Sequence, residues 1–217
     1  TVVPNAVSTD RFAPLEYDRE LACDLGVDGK FVIGFLGSLE AYEGLEYLVE
    51  ATAMLLREHA DVVLLVVGSG RQHNFLEALV RSKGLQRHIR FLGKVPFGQV
   101  QRYYSIFDVC PFPRKAHEVT KLVPPLKILE AMAMEKPVII SELPPLLEMV
   151  EPGVTGLSAA PDDAASLCAA LREMYEDAGR RRSLAKEGRE WVCRERSWEN
   201  VSKRFLPLYS RNVPTSD

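Results

Sequence analysis

The stretch from Pro111 to Ala133 carries the residues best able to do chemistry: Pro111-Phe-Pro-Arg114-Lys115, then Leu122-Val123-Pro124-Pro125-Leu-Lys127-Ile-Leu-Glu130-Ala-Met-Ala. Tandem prolines ahead of an apolar helical pattern put a helix start at Pro124 or Pro125, where a missing N–H costs nothing. Such a start offers free backbone N–H groups and the positive end of the helix dipole, a ready site for a phosphate. Lys127 falls in the first turn, where a cation is disfavoured by a few tenths of a kcal/mol, and a lodged anion would reverse that penalty. Arg114 and Lys115, just past the preceding strand, can approach the same point. Glu130, three residues on, shares a helix face with Lys127. The plain alternative is an exposed Lys–Glu pair of little energetic weight. The chemical one is a phosphate on Lys127 and the helix start, with Glu130 accepting hydrogen bonds from sugar hydroxyls, since a carboxylate offers two acceptors and no competing donor.

Other constellations exclude more than they suggest. Gly34-Phe-Leu-Gly37-Ser38 and Gly68-Ser69-Gly70 follow apolar runs, but His73 stands where a dinucleotide fingerprint wants a further glycine, and no Gly-Lys-Ser/Thr phosphate loop occurs. His117-Glu118 begins like a zinc-protease motif, yet position 121 is Lys, so an exposed loop is the expectation. No Gly-x-Ser-x-Gly elbow supplies a nucleophile. Cys23, Cys110, Cys168 and Cys193 show no metal spacing and read as reduced core thiols. No residue is assigned a catalytic role, and no metal or cofactor is expected.

The elements that must position these groups alternate. Apolar runs at Phe31–Leu36 and Val62–Val67 lack polar alternation, which predicts strands buried on both faces of a parallel sheet. Further strands are expected at Ile89–Leu92, Val109–Phe112, Val138–Ile140 and Thr155–Ser158. Helices are expected around Leu15–Leu25, Leu45–Leu56, Gln72–Arg81 and Phe97–Ser105, then from Pro124 or Pro125. The rest is predicted helical to about Tyr209, with Arg180-Arg-Arg182 facing solvent and Val213–Asp217 disordered. The class is a doubly wound, mostly parallel α/β domain with a helical C-terminal tail. Its ligand loops lie at the carboxyl ends of the strands. The domain is placed at residues 15–210, after a connecting segment at 1–14 and before a tail at 211–217.

With 217 residues, 47% of them hydrophobic, and 27 basic against 30 acidic side chains, the chain can bury a full core without cross-links. Its net charge of −3 argues against nucleic acid as a partner. No apolar run is long enough to span a bilayer, and no signal peptide is visible. The start at Thr1 suggests that a preceding segment has been cut away.

The Pro111–Ala133 segment, continued through Met134-Glu-Lys-Pro137-Val-Ile-Ile-Ser141, resembles the donor-site region of retaining family-4 glycosyltransferases, two-domain GT-B enzymes with twin Rossmann-like halves. Other blocks resemble the same family in its order. They are Val3-Pro-Asn5-Ala-Val7 with Phe12, Gly34-Phe-Leu-Gly37 with Tyr42-Glu43-Gly44, and Val66-Val-Gly68-Ser-Gly70. Ile89-Arg-Phe-Leu-Gly93-Lys-Val95 and Glu148-Met-Val-Glu-Pro-Gly153-Val-Thr-Gly156-Leu complete the set, which covers most of residues 1–210.

The resemblance implies a C-terminal, nucleotide-sugar-binding half that works with an absent N-terminal half. Together they would transfer a glycosyl group to a hydroxyl of an acceptor glycan or lipid-linked glycan. The scattered thiols point to the cytoplasm, and a peripheral place at the inner face of the membrane stays open for the full-length protein. Glu130 would bind the donor ribose, Gly93-Lys94-Val95 would border the base, and Leu122-Val123 would approach the diphosphate and sugar. Gly37 and Ser38 would line the same site.

Three departures stand out: Leu122 occupies the place of a first glutamate, Ser38 and Glu43 those of a diphosphate-binding Arg and Lys, and Pro144-Pro145 that of a Gly-Gly. Lys127, Arg114 and Lys115 are expected to take over the charge neutralisation. The rival expectations are a sugar-nucleotide epimerase, separable by product analysis, and a non-catalytic module, separable by the absence of any nucleotide-induced thermal shift.

Overall fold

Strands without polar alternation can be covered only from both sides, and the chain does this with helices. The computed structural model describes residues 3–204. In chain order it holds α1 (Arg19–Asp24), β1 (Phe31–Leu36), α2 (Leu45–Leu55), β2 (Val62–Val67), α3 (His73–Ser82), β3 (Ile89–Gly93), α4 (Val100–Ser105) and β4 (Cys110–Phe112). There follow α5 (Glu118–Leu122), α6 (Leu126–Ala133), β5 (Val138–Ser141), α7 (Pro144–Leu147), β6 (Leu157–Ala159), α8 (Ala164–Glu176), α9 (Ala178–Glu195) and α10 (Trp198–Ser202).

The strands form two parallel sheets of three, β1-β2-β3 and β4-β5-β6. A parallel bridge between Ile33 and Val109 joins them, with Gly34 N–H donating to the Val109 carbonyl (2.9 Å) and Asp108 N–H to that of Val32 (2.8 Å). The order is therefore β3-β2-β1-β4-β5-β6, with its reversal between β1 and β4. That is where open α/β sheets bind ligands.

Alternation along the strands sorts side chains into two cores. Phe31, Ile33, Phe35, Val62, Leu64 and Val66 pack with residues of α2, α3 and α8, whereas Val32, Val63, Leu65 and Val67 pack with residues of α4, α6 and α9. Gly34 belongs between β1 and β4 because a β-carbon there would enter the Phe107 ring.

Several boundaries differ from the sequence reading. The helix expected over Leu15–Leu25 shortens to α1, begun by Asp18 accepting from Leu21 N–H (3.0 Å). The strand expected at Thr155 starts at Leu157, because the Thr155 hydroxyl instead accepts from Glu151 N–H (2.8 Å). His117-Glu118 opens helix α5 rather than a loop, tied by the buried Thr120 hydroxyl, which donates to the His117 carbonyl (2.8 Å). Pro144-Pro145 opens α7 in the same N-terminal role as other helix prolines.

Arg180 and Arg181 do not simply face solvent: Arg180 donates to the Gly153 carbonyl (2.6 Å), and Arg181 lies 3.7 Å from Asp108. Among the cysteines, Cys110 and Cys168 are buried but Cys23 is exposed. The connecting segment is docked on the α9–α10 junction, where Val7 N–H donates to the Arg196 carbonyl (2.9 Å). The helix expected as far as Tyr209 ends within the described residues at Ser202, and the tail expected from Val213 lies outside them.

Candidate functional site

Three loops meet at the carboxyl ends of β1, β2 and β3. Between them lies a cavity of about 490 Å³, lined by Leu36, Gly37, Ser38 and Glu40, by Val67, Gly68, Ser69 and Gly70, and by Lys94, Val95 and Val100. Close backbone approach makes this corner possible. A β-carbon on Gly68 would collide with the Gly37 carbonyl, and one on Gly70 with the Leu39 backbone. Gly93 turns out of β3 at φ +71°, a conformation open to glycine, and its carbonyl accepts from Gly68 N–H (2.8 Å).

The three cations singled out from sequence arrive from the other half of the sheet, and acidic residues of the β1–α2 segment engage all of them. Pro125 is the N-cap residue of α6, which puts Lys127 in its first turn. The Lys127 ammonium does not pair with Glu130. It reaches across to Glu43 Oε1 (3.0 Å), over the Phe35 ring (4.9 Å) and against Gly37, where a β-carbon would strike Nζ.

Glu43, only 2% exposed, also faces Arg114 Nε at 3.8 Å. Arg114 is itself 5% exposed and donates through Nη1 to the Val123 carbonyl (2.8 Å). Lys115 pairs with Glu46, and its backbone N–H donates to the Tyr42 carbonyl (3.0 Å). Lys127 and Arg114 thus meet on one carboxylate, with Lys115 pinned alongside. Glu43 Oε2 and Arg114 Nε remain buried without a hydrogen bond among the described residues. Burial pulls the Lys127 ammonium below the usual lysine range, and the Glu43 charge opposes that pull.

Glu130 sits half-buried and makes no side-chain hydrogen bond among the described residues. Burial pushes its carboxyl above the ordinary range, against the pull of Lys127 and Arg11. The buried Tyr104 hydroxyl, which has no hydrogen-bond partner among the described residues, feels the Glu130 charge. Leu122 is 77% exposed and, with Val123, lines a second cavity of about 420 Å³ beside Pro4, Met149 and Arg196. Sequence reasoning missed the part played by Glu43, and that of Arg11 and Tyr104 around Glu130. Among the described residues no group of three His, Cys, Asp or Glu could hold a metal ion, and no helix is long and apolar enough to cross a membrane.

The chain is similar to known proteins along most of its length. The family described as glycosyl transferases group 1 matches residues 22–191. The chain belongs to that family. It is 32% identical over 191 residues to the D-inositol 3-phosphate glycosyltransferase of Corynebacterium urealyticum, covering 85% of this chain and 43% of that protein. Among solved structures, the sucrose-phosphate synthase of Thermosynechococcus elongatus is 28% identical with a TM-score of 0.84, over 100% of this chain and 53% of that one. HepE of Anabaena, solved in complex with UDP, shares the fold at a TM-score of 0.86 and 22% identity, over 97% of this chain and 57% of that one. The protein is therefore a glycosyltransferase group 1 domain of GT-B type, and it spans about half the length of the curated relatives it matches.

Proposed function

We propose that this chain is the donor-binding half of a two-domain glycosyltransferase. It takes a nucleoside-diphosphate sugar, with uridine as the favoured base, and transfers the glycosyl group to an acceptor hydroxyl with retained configuration. A second, N-terminal domain would present the acceptor, a glycan or lipid-linked glycan. The observation that carries the reading is an open cavity at the carboxyl ends of β1, β2 and β3 with the Lys127 ammonium packed behind Gly37 of its lining, together with a half-buried Glu130 carboxylate that makes no side-chain hydrogen bond among the described residues.

In this reading the base lies against the Gly93-Lys94-Val95 backbone and the ribose hydroxyls donate to Glu130. The diphosphate meets the start of α6 and Lys127, near Gly37, Ser38 and the Leu122-Val123 backbone. Charge grows on the departing diphosphate in the transition state, so fixed donors at that point accelerate transfer most. The choice of uridine is supported by HepE, whose structures include complexes with UDP and with UDP-glucose. Nucleotide binding is tested by calorimetry with UDP, dUDP, GDP and ADP. UDP binds most tightly, and dUDP several-fold more weakly because one ribose donor to Glu130 is gone. Absence of heat with every nucleotide overturns the reading and favours a non-catalytic module, a role consistent with Arg114 and Lys115 being engaged by Glu43 and Glu46.

A further inference from the structure

Glu43 presents a contradiction in charge. A carboxylate next to a diphosphate site repels the ligand, yet here one is buried at its edge with two cations around it. On its own a carboxylate at 2% exposure would be costly to keep ionised, so it requires a counter-ion. Arg114 alone is not well placed, since its Nε stops 3.8 Å away while its Nη1 is held by the Val123 carbonyl. Among the described residues Lys127 supplies the hydrogen-bonded contact to the Glu43 carboxylate, at 3.0 Å. A lysine in the first turn of a helix otherwise extends its ammonium into water, and fixing it forfeits up to about 2 kcal/mol of rotamer freedom. Something must hold it, and Glu43 is the group in hydrogen-bond contact with it.

We propose that Glu43 is a positioning residue of the donor site: it draws the Lys127 side chain across the gap between β4 and β1 and holds the ammonium against Gly37, where an entering diphosphate meets it. The inference rests on the donor-site reading above and deepens it. The cluster of Lys127, Arg114 and Glu43 keeps one positive charge in excess, and the lysine retains protons beyond the one given to Glu43. The loop after β1 thereby gains a cation that its own sequence, Ser38 to Glu43, does not provide.

The test turns on sign. Removing a negative charge should strengthen diphosphate binding on electrostatic grounds alone, whereas a positioning role demands the reverse. Calorimetric titration of UDP and of uncharged uridine is carried out on the wild type, E43Q and E43D. E43D keeps the charge, and with it the compensation of both cations, but withdraws the anchor by one methylene. The expected result is a loss of UDP affinity of fivefold or more in E43Q and threefold or more in E43D, with uridine affinity unchanged in both.

A pH series adds a readout that mere loss of packing would not move. The ionisable groups facing Lys127 are Glu43, Arg114 and Glu130, and burial already favours its neutral form. UDP affinity should therefore decline at a lower pH in E43Q than in the wild type. UDP binding as tight as wild type in both variants, or an equal loss for UDP and uridine, overturns the positioning role alone. Failure of the wild type to bind UDP overturns the donor-site reading together with it.

Discussion

Two clusters of lysine, arginine and carboxylate sit at opposite edges of the same sheet, and they differ in how completely they are satisfied. At the amino edge, Asp108 accepts from Val32 N–H (2.8 Å) and faces Arg181 (3.7 Å), while Lys136 donates to the Ser105 carbonyl (3.0 Å). At the carboxyl edge, Glu43 Oε2 and Arg114 Nε face each other at 3.8 Å without a hydrogen bond among the described residues, and the Lys127 ammonium packs against Gly37, which lines an open cavity. The electrostatic environments are otherwise alike: burial pushes the Lys136 and Lys127 ammonium groups down and the Asp108 and Glu130 carboxyls up. Perturbed ionisation alone therefore does not separate a clasp from a site. Nor does a neighbouring cavity, since Asp108, Lys136 and Arg181 line one of about 370 Å³; unmet hydrogen-bonding capacity does.

The largest effect expected from this contrast is on stability at the amino edge. Asp108→Ala leaves Val32 N–H without its side-chain acceptor at the start of β1 and should cost about 2 kcal/mol. For a domain of this size that is a fall in Tm of roughly 4–8 °C. UDP affinity should stay at the wild-type value. Loss of UDP binding in a folded Asp108→Ala protein, read by calorimetry beside the melting curve, would break the contrast.

Next in size is the matched removal of the two lysines. Lys127→Ala should weaken UDP binding about tenfold, equivalent to ~1.4 kcal/mol. Lys136→Ala should leave UDP affinity unchanged, because its ammonium is committed to a backbone carbonyl at the far edge. Equal UDP affinities for the two variants would mean that Lys127 is a structural counter-ion and nothing more.

Much of this was legible in the amino-acid string. β1 and β2 fall where the apolar runs predict them, because a strand covered on both faces must be apolar throughout. Of the residues expected at one site, Gly37, Ser38, Lys94 and Val95 line one cavity and Lys127 packs against Gly37, while Leu122 and Val123 line a second cavity. What stayed hidden was side-chain partnership. Lys127 and Glu130 look like a local pair at i and i+3, but Glu43, 84 residues away, takes the ammonium because it is the more deeply buried carboxylate and has the greater need of a counter-ion. Helices α5 and α7 were equally silent, being five and four residues long, too short for any periodicity to register.

The smallest predicted effect is the most discriminating, because it runs in two directions at once. Burial raises the Glu130 carboxyl pKa in the folded protein above its unfolded value. Between those two values the folded state binds more protons than the unfolded one, so stability falls as pH rises through that window and stays lower above it. Glu130→Gln abolishes this penalty. The variant should melt slightly higher than wild type at neutral pH, and the advantage should vanish once the pH drops below the ordinary carboxylate range. The same substitution should weaken UDP while narrowing its preference over dUDP, since the lost acceptor is the one assigned to the ribose. A carboxylate kept for the fold would show the opposite pattern, a lower melting temperature at neutral pH and an unaltered UDP-to-dUDP ratio. Paired thermal and calorimetric measurements at two pH values thus show whether the strain at position 130 is maintained for a ligand.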